Sequence, residues 1–447
     1  MTSKNFNSLI ATIPSPNRLS PYLRSESRHL QRGRTRFLFS FCLLSLLLGS
    51  YTTCSAFQDS TKPATLKSDS KSEIFFPFSE KMISEGWISL FDGKSLFGWQ
   101  AVTKANWKAE NGELHVSKGK LGLLRTTAQF DDFEMTFEYK SDERTNSGIF
   151  LRTNPKPGSV TKDCYEWNIA SPKDHEYPSG ALVKRAKTKF EVSHNDWHRV
   201  RIVCDGDKIQ SWIDDVETVN YTDPNPVSRG YIGLQYNSGK IAFRNIFLKP
   251  LNTVPLLDGK NLDHWKTDQK LDSKFEITEA GELQILGGKG QIESKGQYGD
   301  FIFSMQCKTN AEGLNSGVFY RCIPGDVMNG YESQIQNKFN NDDRTDPADC
   351  GTGGIFRRVN SRYVNADDKK WFSKTIIASG AHVSVWVNGY QVTDWTDKRK
   401  PDANPRRGLR LEKGTIIFQG HDPTTDILIK NIHAKEIAPR RSGKRKK

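Results

Sequence analysis

One unit is written twice along this chain of 447 residues, and that repeat constrains the architecture more than any other feature. Leu90-Phe91-Asp92-Gly93-Lys94-Ser95-Leu96 returns as Leu256-Leu257-Asp258-Gly259-Lys260-Asn261-Leu262, and each is followed by a tryptophan, Trp99 and Trp265. Asn146-Ser147-Gly148-Ile149-Phe150-Leu151-Arg152 returns as Asn315-Ser316-Gly317-Val318-Phe319-Tyr320-Arg321. Tyr165-Glu166-Trp167-Asn168-Ile169 is answered by Tyr331-Glu332-Ser333-Gln334-Ile335, and Arg244-Asn245-Ile246 by Lys430-Asn431-Ile432. The order never changes. We read two copies, over 83–250 and 254–438. The join around Pro250–Pro255 is too short for a flexible linker, so the copies are expected to pack against each other.

Each copy reads as all-β. Phe133-Glu134-Met135-Thr136-Phe137-Glu138-Tyr139 alternates apolar and polar residues with period two, as do Val200–Val203 and His382–Val387. Asn111-Gly112, Asp205-Gly206, Ser238-Gly239 and Asn388-Gly389 separate such runs as turn signals. Many short strands in a unit of this length predict a two-sheet sandwich of jelly-roll type.

The charge is uneven. Lys and Arg number 65 against 52 Asp and Glu, a formal +13. Residues 1–56 and 435–447 each carry a net +6, which leaves +1 between them. The basic pI therefore gives no reason to assign nucleic acid as a partner of the folded body. Five arginines, Arg24 to Arg36, precede an apolar run from Phe37 to Gly49 that is too short to span a bilayer well. That pattern predicts a secretory signal peptide over 1–56, and so a periplasmic or secreted protein with no stable membrane span after cleavage. Lipidation at Cys54 and an uncleaved anchor are the alternatives. Residues 57–82 read as a linker and 439–447 as a basic tail. Five cysteines follow Cys54, and Cys322 with Cys350 is the expected disulfide.

The Leu90–Trp99 opening, the Asn-Ser-Gly strands, Tyr331–Ile335 followed by Gly351–Arg358, and the Phe418–Ile432 ending resemble the 3-keto-disaccharide hydrolase domain family. The resemblance covers essentially all of 86–438, in two copies, and is more specific in the second. It implies a concanavalin A-like fold, so two tandem concanavalin A-like jelly-roll β-sandwiches. It also implies action on oxidised glycosides.

Side chains on a strand face alternate sides. In Tyr331–Gln336, Glu332 and Gln334 share one face, and Glu166 and Asn168 take their places in the first copy. Phe319 with Arg321, and Phe150 with Arg152, are expected to share the same groove. Arg357-Arg358 follows on the next segment, where at most one of the two is expected to face inward. Gln419 and His421, against Gln235 and Asn237, complete the set. Asn315 precedes the Ser-Gly turn. A carboxylate, amides, guanidinium groups and an imidazole together suit a sugar, whose hydroxyls need donors and acceptors. Trp167 is expected in the core. Asp342, Asp343, Asp346 and Asp349 form an acidic loop, read as solvated, with a divalent cation such as calcium as the alternative.

A retaining glycosidase needs two carboxylates about 5–5.5 Å apart, and no Glu-x-Asp-x-x-Glu strand is present. One carboxylate suits another reaction. A ketone at C3 acidifies the hydrogen on C2. A base removes it, the aglycone leaves from C1, and water can then add. Glu332 or His421 is the expected base, with Arg321, Arg357 or a bound metal stabilising the enolate. Arg321, Gln334, Gln419, Asn315, Glu166, Asn168, Arg152 and Gln235 are the expected sugar contacts. A non-catalytic carbohydrate-binding protein is the rival reading, and a structural surface protein the third.

Overall fold

The structure, a computed structural model, describes residues 78–173, 175–267 and 271–440. The predicted signal peptide, Cys54, most of the predicted linker and the last seven residues lie outside that range. Among the described residues there is one helix of five residues, Glu80–Ser84, and the rest of the regular structure is β.

Each copy is a sandwich of an eight-stranded and a five-stranded antiparallel sheet. In the first, Phe133–Ser141 pairs with His198–Asp205 and Ile241–Pro250 at the centre of the larger sheet. Its period of two is realised: Phe133, Met135, Phe137 and Tyr139 are buried, while Glu134 and Glu138 face out and pair with Arg201 and Arg244 at 2.6 Å each. Burying each such apolar side chain is worth about 1.5–3 kcal/mol. Phe301–Thr309 takes the same place in the second copy, between Phe372–Ser379 and Asp426–Glu436. Asn111-Gly112 and Asn388-Gly389 both have positive φ at each residue, the backbone that a two-residue hairpin turn requires.

The smaller sheets carry the Asn-Ser-Gly strands. Asn146–Thr153 lies between Tyr231–Ser238 and Tyr165–Ala170, and Ser316–Cys322 between Thr415–Gly420 and Tyr331–Ile335. Inward residues of these strands, Trp167 among them, fill the cores.

The copies pack together as expected. Ile302, Ile377, Trp386 and Ile437 of the second copy belong to the apolar cluster of the first. The Trp386 indole N–H donates to the Ser89 carbonyl at 2.9 Å. Among the described residues four ion pairs cross the join: Arg362 with Asp92 and Arg229 with Asp300, each at 2.8 Å, and Lys435 with Asp132 at 2.7 Å and with Asp131 at 2.9 Å. Phe78–Met82, read from sequence as the end of a linker, instead joins this contact. Phe78 is buried edge-on against Phe247, with ring centres 4.7 Å apart. The predicted disulfide does not form. Cys322 packs with Phe319 and Ile417 and against Gly330, whereas the Cys350 carbonyl accepts from Ser361, and all five described cysteines are free and buried.

Candidate active site

On the edge strand of the second small sheet, Tyr331 and Ile335 point into the core. Alternation puts Glu332 and Gln334 on the outer face. Across the ladder Glu332 stands opposite Phe319, and Gln334 opposite Gly317. Gly317 is bare for a reason: a Cβ there would come within 2.9 Å of the Glu332 side chain and 3.1 Å of the Phe319 ring. The Asn-Ser-Gly motif thus keeps a socket for the acid. Phe319, Cys322 and Ile417, with Met328, form its apolar floor.

Glu332 is 7% exposed. Its nearest cation is Arg406, 3.7 Å from the carboxylate, and the Arg406 guanidinium lies over the Phe319 ring at 5.2 Å. Burial pushes the Glu332 pKa up to about 7. Arg406 opposes that rise, as do His421 and Lys374, while Asp349 adds to it. Glu332, Phe356, Arg357, Arg358 and Arg406 line a cleft of about 180 Å³. Both arginines of the 357–358 pair line it, against expectation. They sit in a tight turn closed by an Ile355–Val359 bridge, with Arg357 at φ +57°, so strand alternation does not apply.

Amides surround the acid. Gln334 donates to Asn315 at 2.9 Å and to Asp349 at 2.8 Å, and its carbonyl oxygen is buried without a partner. Gln419 donates to the Met328 sulfur at 3.3 Å, and its carbonyl oxygen is also buried and unpaired. Unpaired buried acceptors are rare in proteins, and a ligand hydroxyl would satisfy them. His421 lies 2.8 Å from Asp422 through Nδ1. Hydrogen bonds from Thr424 and His421 hold the Asp422 pKa down to about 2.

Two predicted contacts are elsewhere. Arg321 does not share a face with Phe319. It has φ +49° at a bulge, and its guanidinium turns away to the carbonyls of Gly299, Gly380 and Arg410 and to Asp300. Arg152, at φ +51°, does the same with the carbonyls of Asp131, Gly206 and Val227 and with Asp132. Both are buried structural braces whose donors are spent on the protein. The acidic loop does not gather into a cation site. Asp343 accepts from Thr345, Asp349 from Gln334, and the described residues contain no group of three or more His, Cys, Asp or Glu placed for a metal.

Sequence reasoning missed two groups. Arg406 lies in the long connection between Tyr390–Thr396 and Thr415–Gly420. Lys374 is fully buried beneath the edge strand and donates to the carbonyls of Ser333 and Gln334, 2.8 Å each. Burial pulls its pKa down to about 7.

The first copy is closed differently. Glu166 is also buried, and desolvation pushes its pKa up to about 7, but Gln235 donates to it at 3.0 Å. The Asn168 amide is spent on the Tyr177 carbonyl, and Asn146 meets His175 at 3.3 Å. Arg185 pairs with Asp223 at 3.3 Å and donates to the carbonyls of Val160 and Thr161.

Among solved structures, a proposed glycosyl hydrolase from Parabacteroides distasonis is 25% identical, with 41% of this chain and 99% of that one covered and a TM-score of 0.32. The carbohydrate-binding module CBM66 from Bacillus subtilis is 18% identical, covering 34% and 95%, with a TM-score of 0.29. The Bacillus licheniformis β-glucanase is 14% identical, covering 41% and 98%, with a TM-score of 0.28. No curated protein matches the chain. The family model for the 3-keto-alpha-glucoside-1,2-lyase-like domain matches residues 86–249 and again 252–435, and the chain belongs to that family.

Proposed function

We propose that the second sandwich cleaves 3-keto-glycosides by elimination, with Glu332 as the base. The observation that carries this reading is a single buried carboxylate, held near neutrality, in a cleft lined by guanidinium groups. A general base works best when its pKa lies near the working pH. Glu332 takes the proton from C2, and the electron pair becomes the enolate C2=C3–O⁻. Arg406, the one guanidinium within 4 Å of Glu332 among the described residues, faces that developing charge. As the enolate collapses to the C3 ketone, C1=C2 forms and the C1–O bond breaks. The departing oxygen takes a proton from His421, oriented by Asp422, or back from Glu332. Water then adds across the enone to give net hydrolysis. The unpaired carbonyls of Gln334 and Gln419 accept from ring hydroxyls, and Asn315 fixes Gln334.

The first sandwich binds or supports and does not react. Glu166 is capped by Gln235, the Asn168 amide is engaged, and the imidazole position is Asn237. The basic and then apolar N-terminal sequence supports export of the whole chain.

Glu332→Gln keeps the shape and removes the base. Aglycone release from phenyl 3-keto-glucoside should fall at least ~10³-fold, within the range for a lost general base, while the fold persists by circular dichroism. Unchanged release would reject the assignment.

A further inference from the structure

Elimination asks for one cation to receive the enolate charge, and the cleft holds three. The pairing of the surrounding charges singles these three out. Arg399 is neutralised by Asp397 at 2.8 Å, Arg410 by Glu412 at 2.6 Å, and Arg407 by Asp402 at 3.6 Å. Among the described residues Arg357 and Arg358 make no ion pair, and Arg406 meets only Glu332, at 3.7 Å. The acid that acts on Arg358, Asp397, is already paired with Arg399. Arg358 donates to the carbonyls of Arg357 and Arg406, at 2.9 and 2.7 Å, which engages both terminal nitrogens without cancelling its charge. Arg357 is exposed and has no acidic partner among the described residues. It is also held at φ +57°, a left-handed backbone that favours glycine. Asp349 is a further acid that acts on Glu332, and it accepts from Gln334. With both acids ionised the cleft still carries net positive charge. A cleft of one sign concentrates ions of the other, and guanidinium matches carboxylate, sulfate and phosphate in two-pronged geometry. At the same turn of the first sandwich Lys184, at φ +59°, stands where Arg357 does, but Arg185 is paired with Asp223 and Lys184 is balanced by Glu166, so no excess remains.

We propose that the second sandwich selects glycosides that carry a fixed negative charge beside the oxidised ring, a carboxylate, sulfate or phosphate, and that Arg357 receives it. The proposal rests on the elimination reading for where the ring lies, and on the unpaired guanidinium groups for the sign of its substituent.

The test uses the full chain as Glu332→Gln, titrated with four probes: phenyl 3-keto-glucoside, its 4-carboxyphenyl and 4-sulfophenyl analogues, and phenyl 3-keto-glucuronide. Arg357→Gly in the same background deletes the charge and relieves the left-handed backbone, so it should fold. At least one anionic probe should bind threefold or more tighter than the neutral one, and which probe does so locates the charge. That advantage should shrink as salt rises and vanish in the Arg357→Gly protein. A smaller advantage, or one that survives Arg357→Gly, overturns the proposal. Turnover of the same probes by the unaltered chain separates the two readings. Anionic preference without turnover sinks elimination alone, and turnover without preference sinks this proposal alone.

Discussion

The two sandwiches share a frame and differ in what closes over it. Each has a bare glycine, Gly148 or Gly317, a buried acid beside it, Glu166 or Glu332, and a buried arginine brace two strand positions past the facing phenylalanine. Burial lifts both acids to about pKa 7. The first acid then meets an amide, Gln235, and the second a guanidinium and an open cleft. Beneath the strand, register places Val200 in the first copy where the second has Lys374. The connection that supplies Arg406 spans 397–414, against 223–230 in the first copy. The repeated sheet fixes where an acid can stand, and the loops and one core substitution decide what that acid can do.

The comparison can be broken at the glycine first. Gly317→Ala drives a Cβ into Glu332, and turnover of a 3-keto-glucoside should fall about 100-fold through displacement of the base by an ångström or less. Gly148→Ala instead meets the Trp167 carbonyl at 2.9 Å and should lower melting temperature with little change in turnover. Equal effects on turnover would erase the distinction between the copies.

The pH dependence sharpens it. The folded pKa of Glu332 is raised to about 7, so the base form appears only as pH rises through that value. Turnover should climb about tenfold per unit below pH 7 and level off above. Stability runs the other way, since the buried site tolerates the protonated acid. The intact chain should lose stability as pH rises through 7, and Glu332→Gln should lose less. Lys374→Met removes a cation that favours the ionised carboxylate, so the rise in turnover should move to higher pH. A profile unmoved in Lys374→Met would detach that lysine from the site.

The smallest effect belongs to the first copy. Glu166→Gln should change turnover less than about twofold, because its carboxyl already accepts from an amide. A loss comparable to that of Glu332→Gln would make both sandwiches catalytic.

The duplication, the sandwiches and the placement of Glu332, Gln334, Gln419 and Trp167 were legible because alternation and turn residues report directly on strand faces. Arg152 and Arg321 escaped because positive φ at a bulge breaks alternation, which no periodicity announces. Arg406 was hidden by distance along the chain and by its setting in a connection where no strand alternation reports which way a side chain points. Lys374 left a usable signal: a lysine at an inward position of Phe372–Ser379 violates the apolar pattern of that strand.

Feeding the intact chain a 3-keto-glucoside labelled with deuterium at C2 tests the chemistry itself. Elimination through Glu332 predicts slower turnover than with the unlabelled sugar and loss of the label to solvent in the released product, with both effects absent in Glu332→Gln beyond the spontaneous exchange rate. A product that keeps its deuterium, released at the unlabelled rate, would mean that water attacks C1 directly and that Glu332 is not the base.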